Sequence, residues 1–139
     1  MQAVSALQAG DAHARPMLLK LWERWSNKNA PLERCTIAHF LADTEQDPRV
    51  ELEWDLIALE AATGTRAPED RQAIDATLSS FLPSLHLNVG DAYCRLGDKG
   101  RAKRHAAIGA RHMHTLSDDG YGKTIAAGLD RLQRKLATS

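Results

Sequence analysis

The chain is poor in the features that staple small secreted or metal-bound proteins. It holds two cysteines in 139 residues, Cys35 and Cys94, which form no short-spaced pair, so neither a disulfide framework nor a zinc knuckle is expected. Aromatic residues make up 5% of the chain and prolines number five. β-Branched runs are few while Ala and Leu are abundant, which favours helices over strands. No apolar run approaches the roughly 18 residues a membrane helix needs. The opening stretch "MQAVSALQAGDAHARP" lacks both the basic start and the apolar stretch of a secretory signal. Reduced thiols and a cytoplasmic location are therefore expected.

A net charge is also lacking, yet 18 basic and 18 acidic residues are not evenly mixed. From Asp43 to Asp75 there are ten acidic and three basic residues, a net of −7. From Arg95 to Lys135 there are ten basic and four acidic residues, a net of +6. Two solvated faces within one fold would account for this, and so would self-association of unlike halves into a homo-oligomer.

What is present is helical periodicity. "QAVSALQA" suits a short opening helix. In "DAHARPMLLKLWERWSN" the residues Leu18, Leu21, Trp22 and Trp25 recur at helical spacing and point to a core. Pro31 opens a helix carrying Ile37, Phe40 and Leu41. Pro48 opens a longer one, ended by Gly64. There, Val50, Trp54, Ile57 and Ala61 form one stripe and Leu52, Leu56 and Leu59 another, which predicts an interior helix covered from both sides. "APEDRQAIDATLSSFL" gives a shorter helix through Ile74, Leu78 and Phe81. Pro83 starts the next, Gly97 ends it, and Asp98 caps its successor. The last helix, from about Tyr121, carries Ile125, Leu129, Leu132 and Leu136 on one stripe, with Arg131, Arg134 and Lys135 near its end, where they complement the helix dipole. One domain over residues 1–139 is expected.

Within "LHLNVGDAYCRLGDKGRAKRHAAIGARHM" a large residue, His86, is followed by Val89, Gly90 and Tyr93, the turn "LGD", and Ala102. This pattern resembles the tetratricopeptide repeat (TPR). A small residue at Gly90 and another at Ala102 let paired helices approach, and Tyr93 fills the groove beside them. The departures are Ala106 for the large residue of the second helix, Gly109 for its second Ala, and His114 for the closing Pro. They suggest closer packing and a less regular exit. The resemblance covers residues 84–116. A degenerate copy lies 52 residues earlier, over 32–64, pairing Ala38 with Gly90, Leu41 with Tyr93 and Val50 with Ala102. The resemblance implies a TPR-like stack of antiparallel helix hairpins with a C-terminal capping helix, whose first helices line a concave groove. Carried over in register, the groove residues are Leu87, Asp91 and Arg95 from the good copy and Cys35, His39 and Asp43 from the degenerate one. Family members that clamp a carboxylate use Lys and Asn here. Asn88 is retained nearby, but Asp91 would repel a carboxylate terminus.

Four stretches invite chemistry. "SDDGYGKT" ends like a phosphate-binding loop, but Ser117 stands where the first Gly belongs. Asp118 and Asp119 would repel an anion, and no strand pattern precedes it. A helix start capped by Asp118 or Asp119 is expected instead. Cys35, His39 and Asp43 share a helical stripe, yet the outer two lie about 12 Å apart along the axis, too far for one metal ion. His105 and His112 share a face about 10.5 Å apart, with no zinc-site spacing. If Arg101 or Arg104 lies beside them, their protonation is disfavoured. The set Arg95, Lys99, Arg101, Lys103, Arg104 and Arg111 wraps around its helix with no interleaved aromatics, which argues against nucleic acid. The expectation is a non-catalytic scaffold that binds a peptide or protein segment in its groove, without cofactor or metal. The alternatives are a small enzyme or accessory protein handling a small ligand near His39 and Asp91, and a charge-driven self-associating regulator.

Overall fold

The computed structural model describes residues 14–64 and 77–138. Every regular element among them is helical. The helix expected over "QAVSALQA" and the part of "APEDRQAIDATLSSFL" that carries Ile74 lie outside these residues. The chain divides at Gly64 into two compact units.

The first unit holds α1 (Ala14–Trp25), α2 (Pro31–Asp43) and α3 (Pro48–Thr63). Proline sits in the first turn of each, where its missing N–H removes no helical hydrogen bond. The Asp47 side chain caps α3 by accepting from the Arg49 N–H at 3.0 Å, and the N–H of Gly64 closes the far end on the Glu60 carbonyl at 2.7 Å. Leu18, Ile37 and Leu41 form the core of this unit, surrounded by Met17, Leu21, Trp22, Trp25, Phe40 and Trp54. The rings of Trp22 and Trp54 meet edge-on with centroids 5.3 Å apart, which adds a quadrupolar attraction to their buried area. Glu45, between α2 and α3, ties the unit together at its polar edge. It accepts from Arg15 of α1 at 2.6 Å and from the Trp54 indole at 3.3 Å.

Helix α3 departs from the expected two-sided burial. Its buried residues are Asp55, Ala58, Ala61 and Ala62, whereas Leu52 and Leu59 are half-buried and Leu56 is 36% exposed. The small side chains decide this. They let α3 lie close against α2, where Ala38 and Ala42 are buried in turn, and the bulkier stripes flank the contact.

The second unit holds α4 (Leu82–Arg95), α5 (Lys99–Arg111) and α6 (Gly120–Ala137), with a 3-10 turn at Met113–Thr115. Residues 77–79 are helical and bury Leu78. Between α4 and α5, Gly97 takes φ +87°, a left-handed conformation that glycine adopts without penalty. Asp98 caps α5 through the Arg101 N–H at 3.1 Å. The two helices pack closely, and α6 lies against both. At Gly90 an added Cβ would stand 3.0 Å from Leu132 and 3.3 Å from the Ala102 carbonyl oxygen. At Gly109 it would stand 3.3 Å from both the Pro83 carbonyl oxygen and the His86 Cβ. Small residues at Gly90 and Gly109 thus set the helix separation here. At His114 the chain leaves α5 through the 3-10 turn, where the Thr115 hydroxyl lies 2.7 Å from the His112 carbonyl and 3.3 Å from that of Ser79.

Candidate functional site

The "SDDGYGKT" stretch is the start of α6. Asp119 accepts from the Gly122 N–H at 2.9 Å, as a helix cap does. A side chain at Gly122 would collide with the Ser117 carbonyl oxygen. That glycine therefore serves the tight entry of the helix.

Of the six expected groove residues, three fall in the first unit. Cys35 is buried, at 1% exposed. His39 is half-buried and meets the Phe40 ring edge-on at 5.3 Å. Loss of surrounding water raises the pKa of the Asp43 carboxyl, and the charge of His39 offsets part of that rise. Among the described residues, no group of three or more His, Cys, Asp or Glu side chains is disposed to hold a metal ion.

The other three lie on α4. Arg95 donates from Nε to Asp91 Oδ2 at 2.9 Å, an exposed pair one helical turn apart. Leu87 is half-buried and is claimed in part by the chain itself. Its Cδ2 lies 2.7 Å from the position a Cβ would take on Gly128 of α6, so the absence of a side chain there admits it. Helix α6 therefore covers part of the face on which the resemblance sets a groove. What remains is a cavity of about 330 Å³ lined by Leu87, Asn88, Asp91, Gly128, Arg131, Leu132 and Lys135. Leu87 and Leu132 give it apolar walls, and Arg131 and Lys135 are exposed. Among the described residues these two cations make no ion pair, while their neighbour Arg134 is engaged by Asp130. In the sequence, Arg131 and Lys135 stand out only as cations that complement the helix dipole. Their i, i+4 spacing beside the leucine stripe was the available signal that they share one side of α6.

The histidines come together in a way that sequence spacing along one helix did not expose. His86, on α4, is 7% exposed. Its Nδ1 lies 3.0 Å from Nδ1 of His105 on α5. That distance holds one hydrogen, so one ring donates and the other accepts. The rings of Tyr93 and His105, of His105 and His86, and of His86 and His112 stack with centroids 5.7, 5.2 and 6.3 Å apart. Burial pushes His86 down to about 4, helped by the charges of His105, His112 and Arg111. Burial also lowers His105, with Arg104 second. Arg101, the other suspected neighbour, pairs with Asp98 and lies over the Tyr93 ring. Counting outward from the Gly97 turn in both directions sets His86 near His105 and Gly109, which is the signal that a single-helix count misses.

Lys99, Arg101, Lys103, Arg104 and Arg111 of α5 are all exposed. No helix among the described residues is long and apolar enough to cross a membrane. Comparison of the chain with protein-family models, curated proteins and solved structures finds no match.

Proposed function

We propose that the chain is a non-catalytic interaction module, a TPR-like stack of antiparallel helix hairpins capped by α6, that receives a peptide or protein segment on the face shared by α4 and α6. The observation that carries this reading is the α4–α6 cavity. Its volume of about 330 Å³ stands at the lower limit of small-ligand pockets, a size that suits an anchoring side chain of a longer segment. Apolar walls with a charged rim are what helix-face and groove recognition use, the walls for affinity and the rim for selection. Handling of a small ligand by His39 with Asp91 has less support, because the Asp91 carboxylate is already engaged by Arg95.

Affinity capture from the native host tests the reading, with wild type beside Arg131→Glu, Lys135→Glu and beside Asp91→Ala, Arg95→Ala. Partners recovered by wild type should be lost with the first pair and reduced with the second. Equal recovery by all three would remove the α4–α6 face as the docking site.

A further inference from the structure

We infer that the segment received on the α4–α6 face is the outer stripe of α3 from a second copy of this chain. The inference rests on the reading of α4–α6 as a docking face and names its occupant. On α3 the buried side is Asp55, Ala58 and Ala62. The opposite side carries Glu53, Leu56 and Glu60, all exposed, at spacings of three and four that align them along the helix. This stripe is one apolar side chain between two carboxylates. The receiving face has a complementary arrangement: Leu87 and Leu132 wall a cavity beside Arg131 and Lys135, and the carboxylate in its lining, Asp91, is engaged by Arg95.

Charge and reach both agree. Among the described residues neither Glu53 and Glu60 nor Arg131 and Lys135 are spent on ion pairs. The stripe lies in the stretch with a net charge of −7 and the receiving helix in the stretch with +6. Glu53 and Glu60 are about 10.5 Å apart along their axis, and Arg131 and Lys135 about 6 Å along theirs. The long Arg and Lys side chains splay across the difference. The contact joins two unlike faces, so two copies close on each other reciprocally or further copies add in line. Exposed charges at its rim make the association sensitive to salt.

Sedimentation velocity over a concentration series at low and high salt tests this, using the whole chain. Four samples are needed: wild type, Glu53→Lys with Glu60→Lys, Arg131→Glu with Lys135→Glu, and an equimolar mixture of the two charge-reversed chains. All four positions are exposed, and unchanged circular dichroism will show that the variants fold. Wild type should gain mass with concentration at low salt and lose it at high salt. Each reversed chain alone should associate at least about tenfold more weakly. The mixture should recover association, because each chain supplies the partner the other lacks. Leu56→Ser should weaken wild-type association with no change in charge. A wild type that stays monomeric at every concentration overturns the self-pairing, and so does association that the reversals leave intact or a mixture that stays monomeric. The docking face itself falls only if the capture experiment also shows no difference between wild type and the Arg131, Lys135 variant.

Discussion

Both units pack helices through small residues, Ala38, Ala42, Ala58 and Ala62 in the first and Gly90, Gly109, Ala102 and Ala106 in the second, but they differ in what fills the rest. In the first, bulky side chains fill the space: Leu18, Ile37 and Leu41 lie under Trp22, Trp25, Phe40 and Trp54. In the second, the helices are drawn together by what is missing, at Gly90, Gly109 and Gly128, with Ala102 and Ala106 fully buried. A core of large side chains fails by cavity formation when one is trimmed. A core set by glycine and alanine fails by overpacking when one is enlarged. The two units also differ in their polar interior. The first is clasped at an edge by Glu45, whereas the second encloses an imidazole pair between its helices.

The three tryptophans all lie in the first unit, so their fluorescence separates the two responses in one experiment. The largest effect is expected for Leu41→Ala, which empties a site that is 0% exposed and should cost about 3 kcal/mol. Denaturant unfolding followed by tryptophan emission measures it, and a loss under about 1 kcal/mol would mean that the site collapses freely. Next is Gly90→Val. Its side chain meets the Ala102 carbonyl and Leu132, so it should cost about 2 kcal/mol. That loss should appear in far-ultraviolet circular dichroism while tryptophan emission at low denaturant stays native. A change in emission equal to that of Leu41→Ala would break the contrast between the units.

Acid should also act on the second unit first. His86 is depressed to about 4 in the folded chain against an ordinary value near 6.5, so the unfolded chain takes up the proton more readily. The stabilisation is complete above about pH 6.5 and is lost as the pH falls from there toward about 4. His105 shifts in the same direction. A loss on the order of 1–2 kcal/mol is expected over that window. His86→Leu should flatten the pH dependence, and a slope unchanged by that substitution would acquit the imidazole pair. The smallest effect is that of Asp119→Ala, about 1 kcal/mol from the lost cap of α6, read by thermal unfolding. An added Gly122→Ala should cost more than the cap because of the Ser117 carbonyl in its way.

The helices were largely legible, and for local reasons. Pro31, Pro48 and Pro83 begin helices, Gly64 and Gly97 end them, and Asp98 and Asp119 cap them. Each of these signals acts within one turn of chain. The burial of α3 was not legible, because Leu and Trp stripes advertise hydrophobicity without stating how near a neighbouring backbone can come. Candidate site residues divide the same way. Asp91 and Arg95, four residues apart on α4, meet as a pair, and spacing alone allows that. Arg131, Lys135 and His86 acquire their neighbours only when helices remote in sequence lie side by side.

By itself, the order of residues determined that this chain is helical, where its helices start and stop, and how its charge divides into an acidic and a basic stretch. Those properties follow from backbone geometry and periodicity, which need no distant partner. Tertiary structure alone decided that Leu87 would be shared with Gly128, that α4 and α6 would leave a cavity rimmed by two cations, and that His86 and His105 would face each other. Each of these depends on how closely two helices approach. That distance is set by the side chains of both helices at once and is written in neither one.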